Sequence, residues 1–215
     1  MALKHIVVTK NIMLSGPDGT GKSTISDSVI KSFSDKGITY NHIWLRFNHY
    51  TAKVVNLFGR ITGRSYYKKY TWGKVGYHDY NGIIGSVYII SVYLDHILFQ
   101  VFFKKKNLKS NTRYLIDRYI IDVIADLIVD TNKTKMIFAM FGPFLMNELK
   151  HTNAYILKCD KNIVIVRRPD INDDKSYDKK IVAYNQIASK FNIPQLNTGK
   201  MSIEKVVSVI VKNCL

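Results

Sequence analysis

Acidic residues, cysteine and linker-type composition are all scarce in this chain, and each scarcity narrows what it can be. Asp and Glu number 16 against 32 Lys and Arg, a formal net charge of +16 over 215 residues. An excess of that size sets up a positive field that gathers polyanions, so phosphorylated small molecules, nucleic acid and an anionic membrane surface all fit as partners. A lysine-rich surface that only keeps the chain soluble fits equally, because the lysines are scattered. The two cysteines, Cys159 and Cys214, have neither metal-ligand spacing nor a disulfide pattern, which leaves a reduced, cytoplasmic protein with incidental thiols. No repeat and no Gly/Ser/Pro-rich linker interrupts the sequence, which predicts one domain over residues 1–215. The N-terminal MALKHIVVTK lacks the apolar run and cleavage site of a secretory signal.

One long apolar stretch is present, Ile83 to Phe103, with Asp95 and His96 as its only ionisable residues. It is long enough to span a bilayer. A carboxylate near its centre, with Ser86, Ser91 and Gln100, makes a poor span, and a long buried helix is the expectation. The Lys104-Lys105-Lys106 run after it leaves a membrane-surface role open.

What the chain does have in full is a phosphate loop. Ile12 to Thr24 reads IMLSGPDGTGKST and matches G-x-x-x-x-G-K-[ST] at Gly16, Gly21, Lys22 and Ser23, after an apolar run and before a helical pattern. Gly16, Gly19 and Gly21 reach backbone angles closed to other residues. The segment Gly16, Pro17, Asp18, Gly19, Thr20, Gly21, Lys22, Ser23, Thr24 can therefore wrap a phosphate chain with its amides at the positive end of a helix. Lys22 would reach the β- and γ-phosphates and the Ser23 hydroxyl would hold a Mg²⁺ bridging them, which makes ATP and Mg²⁺ the expected cofactors. The bland alternative is a glycine-rich turn capping an ordinary helix.

Strands are expected at Ile12–Leu14, Tyr40–Phe47, Tyr114–Ile116, Ala154–Leu157 and Pro194–Asn197, with a short extra one at Ile6–Val8. Helical faces such as Ile25, Val29 and Phe33 separate them. The alternation specifies an α/β fold of three layers, a five-stranded parallel sheet flanked by helices. Between them HYTAKVVNLFGRITGR reads as one helix with Val54, Leu57 and Ile61 inward, and SYYKKYTWGKVGYHDYNG as a loop. Its tyrosines among bases could stack on nucleobases, or pack inward as an irregular insertion. Short helices are expected on either side of Gly142-Pro143.

Ligands of such sheets bind past the carboxyl ends of the strands, which selects Asp18, Arg46, Asp117, Arg118, Arg167 and Arg168. Asp117 suits a Mg²⁺ or its waters, or caps the next helix. Arg118 and Arg46 offer planar donors for an acceptor phosphate; each also suits a surface ion pair. Arg167 and Arg168 open a polar excursion, 167–176, that could close over donor phosphates as a lid and stabilise developing charge; a solvated basic turn is the competing reading. Asp122 and Asp126, four apart on one helix face, suit a polyhydroxyl or amino group of an acceptor, or are two exposed helix carboxylates. A guanine-specific switch is disfavoured, since Asn132-Lys133-Thr134-Lys135 lacks the aspartate of N-K-x-D.

GPDGTGKST, the Asp117-Arg118-Tyr119 triplet, an arginine-bearing segment before AYNQIASKF and a final short strand and helix together resemble the thymidylate kinase family over nearly the whole chain. The resemblance implies transfer of the γ-phosphoryl of ATP to a nucleoside monophosphate, dTMP first, by a Mg²⁺-dependent kinase that dimerises through its long helices. It also implies that Lys22 cradles the donor, Asp18 sits near the acceptor, Arg46 grips the monophosphate, and Arg118 matches the arginine of the family's Asp-Arg pair. No arginine occupies the phosphate loop, so cationic help is expected from Arg167 and Arg168. The chain departs from the family in Arg46-Phe47-Asn48 for Arg-Glu-Pro and in Asp95-His96 for the Asp-Arg of the long helix. Asp122 and Ala125-Asp126-Leu127 stand where the family carries Ser and Ala-Tyr-Gln to meet the thymine ring. These departures keep two alternatives open: a kinase for a nucleoside or phosphorylated metabolite, and a nucleic-acid-binding NTPase.

Overall fold

A computed structural model describes residues 10–45, 50–70, 73–104 and 112–215. The expected strand Ile6–Val8 and residues Arg46 and Phe47 lie outside the described residues. In chain order the elements are β1 (Asn11–Ser15), α1 (Lys22–Ser34), β2 (Asn41–Trp44), α2 (Thr51–Ile61), β3 (Ser65–Tyr70), β4 (Gly73–His78) and α3 (Gly82–Leu98). A π-helical extension, Phe99–Lys104, follows. Then come β5 (Tyr114–Asp117), α4 (Ile120–Thr131), α5 (Thr134–His151), β6 (Thr152–Lys158), α6 (Lys161–Arg167), a 3₁₀ turn (Pro169–Asp173), α7 (Tyr177–Phe191), β7 (Gln195–Asn197) and α8 (Ile203–Cys214).

The five-stranded sheet has the order β2-β5-β1-β6-β7, with every pairing parallel. Its central strands are short apolar runs because both faces are covered. Leu14, Ile25, Val29, Phe33, Val206 and Ile210 fill the side beneath α1 and α8. Met13, Ile116, Ile124, Phe141 and Ile187 fill the side beneath α3, α4, α5 and α7. The register sets Leu14 beside Asp117 and Ser15 beside Ile156. The carboxyl ends of β1, β5 and β6 therefore finish at one level, where the phosphate loop begins.

Three local expectations differ from what forms. SYYKKYTWGKVGYH is not a loop but the antiparallel hairpin β3–β4, in register from Ser65 opposite His78 to Tyr70 opposite Gly73. The helix expected to break at Gly142-Pro143 runs unbroken from Thr134 to His151. Proline forfeits one helical hydrogen bond, but Ile137, Phe141 and Leu145 are fully buried on either side of it, and their packing holds both halves to the core. The long apolar helix is not buried all round. Tyr88, Ile89, Val92, Asp95 and His96 face the interior, while Ile83, Val87, Ile90, Leu94, Leu98 and Val101 form a stripe open to solvent. By length and composition Gly82–Phe102 could cross a membrane. Its buried face is nevertheless built to receive α2.

The element that joins α3 to α2 is Asp95. Its carboxylate accepts the backbone N–H groups of Tyr50 (2.9 Å), Thr51 (2.8 Å) and Ala52 (3.1 Å), and the Thr51 hydroxyl (2.9 Å). These are the orphan donors of the first turn of α2, so a buried side chain from a distant helix does the work of an N-cap. We predict that Asp95→Ala costs about 2 kcal/mol, a helix cap plus unsatisfied donors. A thermal melt should show Tm lower by about 4–8 °C; an unchanged Tm would show that α2 starts without this contact.

Candidate functional site

The loop between β1 and α1 is shaped by close approach. Gly16 has φ 143°, and a Cβ there would collide with the Leu157 carbonyl oxygen of β6; a Cβ on Gly19, φ 79°, would collide with the Val164 side chain of α6. The Thr20 hydroxyl closes the turn by donating to the Pro17 carbonyl at 2.8 Å. From the far side the Thr198 hydroxyl, just past β7, donates to the Thr20 carbonyl at 2.8 Å. Lys22, Ser23 and Thr24 then open α1, with Lys22 buried and the other two exposed.

Lys22, Asp18 and Arg118 converge on one point. Lys22 Nζ donates to the carbonyls of Gly16 (2.6 Å) and Pro17 (2.9 Å) and lies 3.8 Å from the Asp18 carboxylate. Arg118 leaves β5 in a left-handed conformation, φ 55°, which an arginine holds only under tertiary constraint. Its guanidinium hydrogen-bonds and ion-pairs with Asp18. Burial would raise the Asp18 carboxyl, but Arg118, Lys22 and Lys180 outweigh it and hold it below its ordinary value. Burial and then the Arg118 charge push the Lys22 amine down, against the pull of Asp122, Asp18 and Asp117. Burial opposes the Arg118 charge too, yet Asp18, Asp122 and Tyr184 prevail and raise its pKa.

Asp117, the last residue of β5, is left differently. Its Oδ2 is 4.0 Å from His42 Nε2, and its buried Oδ1 has no hydrogen-bond partner among the described residues. Burial raises its carboxyl above the ordinary range. A buried acceptor oxygen of this kind fits a Mg²⁺ ion or a water bound to it, and Ser23 supplies a hydroxyl from the first turn of α1. Among the described residues no three His, Cys, Asp or Glu side chains converge. Magnesium does not need such a cluster, since it takes one or two carboxylates plus substrate phosphates.

The expected acceptor residues are distributed in another way. Asp95 is committed to α2, as above. His96 is fully buried among Phe141, Phe144 and Tyr119, with its Nε2 3.1 Å from the Gln100 amide nitrogen. Both side chains are thus engaged in the interior. Asp122 and Asp126 sit in different surroundings: Asp126 is exposed, while Asp122 is buried. Asp122 accepts the Ser15 hydroxyl (2.8 Å), the Tyr119 N–H (3.1 Å) and the Tyr184 hydroxyl (2.6 Å). The two arginines of the 167–176 segment also part company. Arg167 reaches the Cys159 sulfur (3.8 Å) and the Thr198 carbonyl (3.4 Å). Arg168 ion-pairs with Asp170, and its Cγ stands 3.6 Å from where a Gly19 side chain would begin. Arg168 is thus the one set over the phosphate loop.

Ser15, Tyr184 and Thr198 are the site residues that sequence reasoning passed over. Thr198 had a usable signal, because it sits just past the carboxyl end of the last strand, the same rule that selected Asp117 and Arg118. Tyr184 and Ser15 had none, since a tyrosine in a helical face and a serine ending a strand read as ordinary packing. His42 carries a weak signal at best, a histidine inside a strand.

Asp117 also makes a stability prediction. It is easier to protonate in the fold than in the unfolded chain, so its ionised form opposes folding above that range, and the opposition disappears on acidification. Asp117→Asn should hold or raise Tm at neutral pH, with the gain shrinking as the melt is repeated at mildly acidic pH. A lower Tm at neutral pH would mean that the carboxylate is satisfied after all.

No protein-family model and no curated protein matches this sequence. Among solved structures the chain is similar to a thymidylate kinase from Candida albicans, reported for its broad substrate specificity and a novel structural element. The two share 14% identity, the match covers 95% of this chain and 90% of that one, and the TM-score is 0.53. At that identity the likeness carries the fold, and the architecture is that of a P-loop NTPase with a five-stranded parallel sheet flanked by helices.

Proposed function

We propose that this chain is a nucleotide kinase that moves the γ-phosphoryl group of ATP, with Mg²⁺, to a nucleoside monophosphate, with dTMP as the acceptor. The observation that carries the reading is the meeting of Lys22, Asp18 and Arg118. An arginine beside the loop could also serve hydrolysis of a triphosphate, as a finger supplied in cis, so the placement of this one matters. One held beside the loop by the loop's own aspartate suits a second phosphate brought up to the first. The fold shared with the thymidylate kinase supports the same reading.

In this reading the loop amides and Lys22 cradle the donor, and Arg118 receives the acceptor phosphate, with Arg46 as its expected companion. An acceptor oxygen bonds to the γ-phosphorus as the bond to the β–γ bridging oxygen breaks, so the protein's task is alignment and charge stabilisation. Asp117 and Ser23 would hold the Mg²⁺, which supplies neutralisation of phosphate charge. Arg168, above Gly19, is the better placed of the two arginines to meet charge that develops in transfer, while Arg167 braces the Thr198 side. Asp122 speaks less for a polyhydroxyl acceptor than its spacing does, because it is buried and both its oxygens already accept hydrogen bonds.

The reading includes a homodimer. Ile83, Val87, Ile90, Leu94 and Leu98 recur at helical spacing along one exposed face of α3, Val101 continues it in the π-helical extension, and Val54, Leu57 and Ile61, expected inward, are exposed on α2. Apolar surface of that extent calls for a partner, and a second copy of the chain is the one we assign. The buried free thiols Cys159 and Cys214 suit a reducing compartment, and we place the enzyme in the cytoplasm.

ADP release from ATP and Mg²⁺ should rise with dTMP in a panel that also holds dUMP, UMP, CMP, AMP, GMP and the free nucleosides. Lys22→Ala should lower it about 100-fold or more, the effect of removing a group aimed at transition-state charge. Another monophosphate giving the highest rate would revise the acceptor. No acceptor at all, with slow Lys22-dependent hydrolysis, would overturn the kinase assignment. Light scattering should give twice the chain mass for the wild type and the single mass for Leu94→Arg; a monomeric wild type removes the dimer.

A further inference from the structure

The β3–β4 hairpin stands outside the sheet and takes no part in the site as described. It leaves the end of α2 and returns to α3, so its root lies between those two helices. Its far contacts lie elsewhere. The Tyr70 hydroxyl donates to the backbone carbonyl of Asp173 at 3.0 Å, across 103 residues of sequence, and is 2.9 Å from the Tyr77 hydroxyl of the opposite strand. With Tyr70 donating to Asp173, the Tyr77 hydroxyl donates to the Tyr70 oxygen. The Tyr70 hydroxyl then both donates and accepts, the arrangement in which hydrogen bonds reinforce one another.

What this chain of bonds holds is the 3₁₀ turn Pro169–Asp173, which starts immediately after Arg168. The turn has three other anchors. Ile171 is buried with Cys159, Val164 and Tyr177. The Asp174 carboxylate accepts the N–H (2.9 Å) and hydroxyl (2.6 Å) of Ser176 and lies 3.5 Å from Lys180. At its near end Arg168 bonds Asp170 and stands over Gly19. A short segment pinned at its far end to the hairpin has little freedom to lift its near end from the phosphate loop.

We propose that the hairpin is a strap, with Tyr70 and Tyr77 as positioning residues that hold the 169–175 segment, and through it Arg168, over the phosphate loop. Its effect on turnover rests on the kinase reading; its effect on the segment does not. Closure of the phosphate side is thereby tied to an element rooted between α2 and α3. Tyr→Phe removes only the hydroxyl and leaves the ring contacts, among them Lys68 over Tyr70 at 4.8 Å and Tyr66 stacked on Tyr77 at 5.6 Å.

The test uses the full chain as Tyr70→Phe, Tyr77→Phe and the pair. Amide hydrogen exchange over 169–176 should quicken by about two- to tenfold, the range for one lost hydrogen bond, with β1 and α1 unaltered and Tm held. Unchanged exchange there overturns the strap whether or not the protein is a kinase. Turnover supplies the second arm, measured with the best acceptor or as ATP hydrolysis. Tyr70→Phe should lower kcat more than it changes KM for ATP, and should add no further loss in an Arg168→Ala background. Independent, additive losses would show that Tyr70 does not act through Arg168 and would overturn its positioning role. A wild type inert toward ATP refutes the kinase reading, and the exchange arm then decides the strap alone.

Discussion

One buried carboxylate sets the frame for the rest of the site. Asp122 draws its three donors from three separate elements: Ser15 at the end of β1, Tyr119 at the start of α4 and Tyr184 in the middle of α7. A carboxylate away from water is tolerated only when its lone pairs are filled, and a half-filled one costs far more than the bond that was lost. The three elements are therefore referenced to a single point. β1 delivers the phosphate loop, α4 follows Arg118, and α7 continues the segment that carries Arg168. Asp122 touches none of the groups that would meet phosphate, yet it fixes the relation among their supports.

The site contains three aspartates in three environments, and the contrast shows what each can do. Asp18 is ion-paired, held ionised by Arg118 and Lys22, and so acts as a spacer that keeps two cations together without their repelling each other apart. Asp122 is filled. Asp117 alone keeps a buried oxygen without a partner among the described residues, and burial makes its charge expensive. Of the three, Asp117 is the one whose ionised form burial opposes, and a divalent cation would relieve both conditions at once.

The phosphate loop and the parallel sheet were legible because their signals are local. Glycines at Gly16 and Gly19 are required by contacts with the next strand and helix, and strands covered on both faces read as unbroken apolar runs. The hairpin was not legible: strands such as SYYKKY put tyrosine and lysine on both faces, so the period of two never appears in the hydropathy. Asp95 and Asp122 misled for a different reason. Carboxylates in helices beside a phosphate site look like ligand contacts, and only the fold shows that their acceptors are consumed by Thr51, Ala52, Ser15 and Tyr184, up to 107 residues away. Sequence spacing tells which face of a helix a residue occupies and not what is packed against it.

The scarcity of acid in this chain looks different once the fold is known. Of 16 acidic residues, Asp18, Asp95, Asp122 and Asp174 are drawn into the interior or the site, where each orders a specific group, and Asp117 joins them with a buried oxygen left over. The site itself is close to balanced, with Asp18, Asp117 and Asp122 set against Lys22, Arg118 and Arg168. A triphosphate and a monophosphate arriving together would then bring charge that the site's side chains do not offset alone. Loop amides, a divalent cation and the surrounding field of 32 basic residues would have to supply the remainder. On this argument the high positive charge is not a sign of nucleic acid by itself. It would serve as well as the long-range complement of a site whose Lys22, Arg118 and Arg168 already stand beside aspartates.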